Sequence, residues 1–356
     1  MQPMFQKKLL EWHDKNAREL PWKGETDPYR IWISEIMLQQ TRTETVSGYY
    51  HAFLEEFTDV DALARADEER LLKKWEGLGY YSRARNLQKA AKRIVSEYGS
   101  RLPDTAQELV KLPGIGDYTA GAIASIAFGR REPAMDGNAV RVVSRVTGER
   151  GCVGEAKVKR ALKEACASLM SGERPGDFNQ AMMGLGNMIC VPTNPRCGDC
   201  PVSEFCQARK LGIQKELPNL PPKPEKKNLS VGIALVFSGR QVLLVKRPEE
   251  GLLAGMWAFP SFEGARSEKD VREALAEMGV IAGRGRRLDD AEHAFTHRVW
   301  KMKGWRFDVR EFPAGENFRP VDSDGLREAA LPTAFRAYRS AAEEMLTAQN
   351  EDKQND

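Results

Sequence analysis

Four cysteines in one short run, two carboxylates in unusual settings and a glycine-rich hairpin are the residues of this chain that can do chemistry. Cys190, Cys197, Cys200 and Cys206 are spaced C-x6-C-x2-C-x5-C among Pro195, Gly198 and Pro201, a pattern that folds a compact loop around one centre. Zinc is the default for four thiolates, a four-iron cluster also takes four, and spacing alone leaves both open. Glu35 has Ile31 and Trp32 one helical turn before it and Leu38 and Gln39 one turn after. A carboxylate on such an apolar face loses hydration, which raises its pKa and suits it to act as a general acid near neutral pH. Asp136 lies in the short turn AMDGN, downstream of the hairpin LPGIG. Gly114 and Gly116 let that hairpin turn sharply and leave its N–H groups uncovered, at the start of a helix, where a phosphate oxygen binds readily. Asp136 can then face whatever carries that phosphate.

The elements that must position these groups are first helical. Residues 1 to about 20 form an amphipathic helix with Phe5, Leu9, Leu10 and Trp12 on its apolar side. A second helix starts at Asp27-Pro28 and carries Glu35, with Pro placed where its missing N–H costs little. Helical spacing continues over 43–57, 67–76 and 82–98, on both sides of the hairpin, and over 138–147 and 155–170. GLGYYSR, residues 77–83, reads as a loop with an exposed aromatic tip, the kind of wedge that proteins insert between base steps. RIWISEIMLQQTR and YYSRARNLQKAAKR are candidate basic faces. Residues 211–228 are rich in Pro and Lys and read as a linker. Beyond them the period changes to that of strands. NLSVGIALVFSG and RQVLLVKRP pair around a Ser-Gly-Arg turn, a helix covers about 268–279, AEHAFTHRVW and WRFDVREF form two strands with KMKG as their turn, and a helix closes the chain. The fold class is therefore multidomain, α plus α+β. An all-helical domain spans 1–210 with its cysteine loop at 190–206, the linker is 211–228, an αβ domain spans 229–345 and a disordered tail 346–356.

The length of 356 residues allows two such domains, and a net charge of +3 speaks only weakly for nucleic acid. No apolar run approaches the length of a membrane span, and the N-terminus lacks a secretory apolar region. Four clustered cysteines, with Cys152 and Cys166 standing apart, suit a metal site in a reducing compartment rather than a disulfide framework. The expected location is cytoplasmic, on the nucleoid if the source is bacterial.

LPGIG followed by an Asp resembles the motif of the helix-hairpin-helix DNA glycosylases. The cysteine run resembles the [4Fe-4S] loop of their endonuclease III and MutY branch, and SEIMLQQT (34–41), the RELPW run (18–22) and the Nudix-like REALAEMGV (272–280) extend a resemblance to the MutY family to about residue 345. The resemblance implies a monomeric base-excision enzyme that removes adenine opposite 8-oxoguanine or guanine in double-stranded DNA. Glu35 would protonate adenine N7, Asp136 would stabilise the charge developing on the sugar, Asn138 would orient Asp136, and Tyr118 would line the pocket. Strand-cutting members carry Lys at the Tyr118 position, so Tyr implies a monofunctional enzyme. Arg18 and Trp22 match pocket residues; Leu38, Gln40, Leu78 and Tyr80 match groups that touch or wedge the DNA; Gly114 and Gly116 match the hairpin, whose carbonyls would hold a monovalent cation. Phe295-Thr296-His297 matches the loop that reads 8-oxoguanine, with Thr in place of the family's Ser. The Nudix box is broken, because Ala276 replaces a metal-binding Glu and Glu263 is one residue out of register, which implies a binding module. Lys23, Gly184 and Asn187 also depart from the commoner pattern. A thymine or uracil mismatch glycosylase, a silent lesion-binding protein and an active Nudix hydrolase are the competing readings.

Overall fold

The computed structural model describes residues 2–170, 172–222 and 224–351. Two compact units result: residues up to 66 with 82–222, and residues 67–81 with those after 222. The first is helical, comprising α1 (Gln2–Asn16), α2 (Pro28–Leu38), α3 (Thr43–Glu56) and α4 (Val60–Arg65). α5 (Glu68–Lys74) belongs to the second unit, and the chain returns to the first with α6 (Ser82–Tyr98), α7 (Ala106–Leu109), α8 (Asp117–Ile126), α9 (Gly137–Thr147), α10 (Ala156–Leu169), α11 (Pro175–Met188) and α12 (Gln207–Leu211). α1 ends at Asn16, short of the expected residue 20, where the Asn16 side-chain amide donates to Trp12 O at 2.8 Å. α4 escaped the sequence reading because it is one short turn, capped by Asp59.

α2 begins as its sequence requires. The Asp27 side chain accepts from Tyr29 N at 2.8 Å and Pro28 takes the first turn. Every residue from Ile31 to Met37 is buried, while the two arginines of that candidate basic stretch, Arg30 and Arg42, are exposed at its ends. α6 keeps Lys89 and Lys92 exposed but buries Arg83. α1, α9, α10 and α11 share one core of Phe5, Leu9, Val142, Leu162, Phe178 and Met182. The expected linker is shorter than 211–228. Ile213 and Leu217 bury themselves against Ala208, Asn219 O accepts from Val153 N at 2.9 Å, and the next strand starts at Lys227.

The second unit is built on a mixed eight-stranded sheet. Its strands are β1 (Lys227–Ser238), β2 (Gln241–Lys246), β3 (Trp257–Ala258), β4 (Ser261–Glu263), β5 (Arg286–Arg287), β6 (Ala291–Ala294), β7 (Arg298–Asp308) and β8 (Phe318–Val321). β1 runs parallel to β7 along its whole length, from Lys227 opposite Arg298 to Phe237 opposite Asp308, and antiparallel to β2 and β4. Ile233, Leu235 and Phe237 face a core closed by α15 (Arg336–Glu351), which follows α14 (Ser323–Glu328). Ala234 and Val236 face a core closed by α13 (Glu268–Glu277). Burial on both faces explains the nearly unbroken apolar run of β1.

Three expectations fail here. KMKG is no turn; β7 runs straight through it, and the turn falls at 295–297 instead. Gly304 is needed for close packing, since a Cβ there would lie 2.2 Å from a ring carbon of Tyr338 on α15. The supposed tail from 346 continues α15 to Glu351 with Leu346 buried, and residues 352–356 lie outside the described residues. Residues 67–81, expected in the helical domain, are tied into the second unit. Glu69 accepts from Trp257 Nε1 at 2.9 Å and from Arg319 at 2.8 Å, and Glu76 accepts from Arg339 at 2.5 Å.

Gly304→Ala should cost about 1–3 kcal/mol by overpacking, read as a lower denaturant midpoint for the second unit. An unchanged midpoint would mean that α15 can shift away from the sheet.

Candidate active site

Glu35 is 6 % exposed, and burial raises its pKa to about 7. Its carboxyl is enclosed by the apolar face of the helix rather than standing at a rim. α8 packs against α2 and brings Tyr118 to it, the hydroxyl donating to Glu35 Oε2 at 2.6 Å and lying 3.4 Å from Met183 Sδ of α11. The Tyr118 pKa is pushed well above its usual value by burial and by the charge of Glu35, so the phenol stays a donor. The negative charge of Asp136 raises the Glu35 pKa further.

Asp136 is the N-cap of α9. Its Oδ1 accepts from Ala139 N at 2.6 Å, and its Oδ2 accepts from Asn138 Nδ2 at 2.8 Å. Burial raises its pKa and these hydrogen bonds oppose the rise. Two carboxyl groups thus stand in different settings, Glu35 with one donor and Asp136 at a helix N-terminus that favours an anion. Tyr118 and Asp136 also line a cavity of about 650 Å³ with Met135, Val140 and Leu162 on its wall.

Sequence reasoning missed three arginines. Arg141 donates to Asn138 Oδ1, to Gly186 O and to Cys190 O, each at 2.7 Å, and so joins the support of Asp136 to the cysteine loop. Arg145, 2 % exposed, donates to Cys190 Sγ at 3.2 Å and to Val191 O at 2.9 Å. The signal was present as two arginines inside the apolar run of α9. Arg83 donates to Ile36 O, Met37 O and Gln39 O at 2.7–2.9 Å and to Thr41 Oγ1 at 2.9 Å, which ends α2 and fixes the following turn. Gln40 is exposed there in the left-handed region, φ +57°, and Leu38 is half-buried.

The four cysteines line one cavity with Arg145 and Gln214. Burial pushes the Cys200 thiol up to about 12 and raises Cys206, so a bound cation is what would deprotonate them. Backbone N–H groups of Val202 and of Ala208 and Arg209 point at Cys200 and Cys206. Among the described residues no three His, Cys, Asp or Glu groups are gathered as ligands of a single ion.

The remaining candidates are distributed. Gly114 turns at φ +78°, where a Cβ would also meet Asn86 Cβ at 2.8 Å, and Gly116 caps α8 without covering its amides. Arg18 pairs with Glu44 at 2.9 Å, and Trp22 packs edge-on to Tyr50 at 5.5 Å. Lys23 pairs with Glu19. In the second unit the Tyr80 and Thr296 hydroxyls meet at 2.7 Å, which joins two groups far apart in sequence. Phe295 packs edge-on to Trp300 at 5.1 Å, and His297 is exposed. The aromatic tip is Tyr80 alone: Leu78 and Tyr81 are buried, and Tyr81 donates to Leu331 O.

Residues 33–168 match the helix-hairpin-helix family of base excision DNA repair proteins, 232–341 match the NUDIX domain, and 190–206 match the iron-sulfur binding domain of endonuclease III. Fold and site together define a base-excision DNA glycosylase with an iron–sulfur binding domain and a Nudix-like second domain. Adenine DNA glycosylase of Homo sapiens is 37% identical, with 94% of this chain and 74% of the relative aligned. That of Schizosaccharomyces pombe is 32% identical over 95% and 89%. The chain belongs to the adenine DNA glycosylase (MutY) family, hydrolases of N-glycosyl bonds that act on DNA. A thermostable thymine-DNA glycosylase is 28% identical in sequence, with a TM-score of 0.54 over 59% of this chain and 97% of that one. Endonuclease III trapped on DNA shares the fold at 23% identity and a TM-score of 0.50, over 58% and 95%. No helix among the described residues is long and apolar enough to cross a membrane.

Because the folded Glu35 holds a proton that the unfolded chain has lost between pH about 4.5 and about 7, stability falls as pH rises through that window. Glu35→Gln should therefore be stabilising above pH 7, by on the order of 3 kcal/mol relative to its effect below pH 4.5. Urea titrations at the two ends of the window measure it; equal effects at both would mean that the carboxyl is solvated.

Proposed function

We propose that this enzyme removes adenine mispaired with 8-oxoguanine or guanine by a monofunctional, hydrolytic mechanism with base flipping. The observation that carries the reading is Glu35, buried, protonatable near pH 7 and held at Oε2 by Tyr118. The target nucleotide leaves the duplex and enters the site beside Tyr118 and Asp136. Glu35 gives its proton to adenine N7, so that the base departs neutral. The glycosidic electrons leave with the base, and the Asp136 carboxylate stabilises the cationic sugar, which is charge complementarity made in the transition state. Water then completes an abasic site. Asn138 keeps Asp136 oriented. Tyr118 has no amine with which to form a Schiff base, so the strand stays intact.

The four cysteines hold a [4Fe-4S] cluster in this reading. Four cysteines around one cavity, in the run that matches the iron-sulfur binding domain of endonuclease III, suit a multi-iron group with one iron per cysteine. When bound, the cluster supplies a rigid anchor for the loop that Arg141 and Arg145 grip. Tyr80 wedges beside the lesion and Thr296 reads it, with Leu38, Gln40, Arg18 and Trp22 at the DNA. The hairpin amides take a phosphate and its carbonyls a monovalent cation. The Nudix-like domain binds without hydrolysing, since Glu273 and Glu277 on α13 are exposed and Ala276 interrupts the carboxylate set. The enzyme acts as a cytoplasmic monomer. The similarity to a thymine-DNA glycosylase favours thymine opposite guanine as the second reading.

Single-turnover excision should release adenine opposite 8-oxoguanine fastest, guanine next, with no strand break before alkali and no trapping by borohydride. Release of thymine instead would move the assignment to the second reading. The rate should fall about tenfold per pH unit above about 7, as Glu35 loses its proton. Glu35→Gln should abolish excision while retaining binding; equal loss of both would remove Glu35 from its role as the acid.

A further inference from the structure

Gln214 follows α12 and its Gly212 cap, where Ile213 N donates to Ala208 O at 2.9 Å and turns the chain back over the cysteine loop. Its side chain lines the same cavity as Cys190, Cys197, Cys200 and Cys206. The amide oxygen Oε1 is fully buried and receives no hydrogen bond among the described residues. A buried acceptor without a partner is costly, and the four cysteines that line the same cavity add acceptors rather than donors once they are thiolates. Of the two arginines that line the cavity, Arg145 and Arg209, Arg145 is already committed to Cys190 Sγ, Cys190 O, Val191 O, Pro192 O and Leu217 O. A half-turn about the last side-chain bond exchanges oxygen for nitrogen with almost no change of shape. It puts N–H donors in place of the orphaned acceptor, in a cavity lined by four cysteines.

We propose that Gln214 donates a hydrogen bond to a sulfur of the iron–sulfur cluster and sets its redox balance, an inference that rests on the [4Fe-4S] reading of the cavity. An N–H donor stabilises the more negative, reduced state of a cluster and raises its reduction potential. Gln214 is thereby a positioning and tuning residue, which complements the backbone N–H groups directed at Cys200 and Cys206.

The test is voltammetry on full-length holoprotein purified without oxygen, with iron and sulfide assayed on each sample. Gln214→Met keeps the length and removes the donor, and its midpoint potential should fall below that of the wild type at full cluster content. Gln214→Glu, of the same shape but carrying an anionic acceptor, should lower it further. It carries the comparison alone if the Met variant does not hold its cluster. Equal potentials for wild type and variants at full content would overturn the role of Gln214 and leave the cluster reading intact. A wild type without four irons and four sulfides per chain would overturn the cluster reading and this inference with it.

Discussion

The structure depends on keeping one carboxyl group away from water. Glu35 sits in the middle of a helix buried from Ile31 to Met37. The loss of hydration, not a neighbouring charge, is the largest cause of its raised pKa. The tyrosine hydroxyl at 2.6 Å limits that rise and fixes which oxygen is free to carry the proton. Burial of a polar group without a partner would destabilise the domain, so the packing of α8 against α2 and the acidity of the site are one constraint.

Asp136 solves the opposite problem. In the proposed mechanism it holds a negative charge while buried, and the start of α9 opposes the effect of burial with an N–H at 2.6 Å, the Asn138 amide at 2.8 Å and the favourable end of a helix. An N-cap is an ordinary structural role, and here the same geometry presents a carboxylate to the cavity shared with Tyr118. Arg141 extends the arrangement, since one guanidinium bonds Asn138 and the Cys190 carbonyl together. Anything that loosens the cysteine loop therefore acts on the orientation of Asp136 through three hydrogen bonds.

The second unit shows the fold plainly, and in the proposed reading it binds without hydrolysing. Its sheet and flanking helices match the NUDIX domain. Its hydrophobic layers are complete on both faces of β1, and on α13 Glu273 and Glu277 are exposed with Ala276 beside Glu277. What it retains is a turn after β6 that presents Thr296 to Tyr80, on a segment that the sequence places between helices of the other unit. Glu69 and Glu76 hold that segment through Arg319 and Arg339.

The chain by itself determined whatever depends on near neighbours. The cysteine loop, the hairpin glycines, the start of α2 at Asp27-Pro28, the long apolar β1 and the family motifs were all legible, because capping, turn chemistry and ligand spacing are set within a few residues. Tertiary structure decided the rest. Full enclosure of Glu35, the bond from Tyr118, and the three arginines that end α2 and brace the cysteine loop join positions tens of residues apart, and no local pattern encodes which helices meet. Gly304 shows the same limit from the other side. A glycine directly after a lysine looks like a turn locally, but Gly304 lies inside a strand where Tyr338 of a distant helix packs too close to admit a Cβ. Burial and long-range hydrogen bonding belong to the packed molecule, and in this protein they determine the proton affinity on which the proposed chemistry turns.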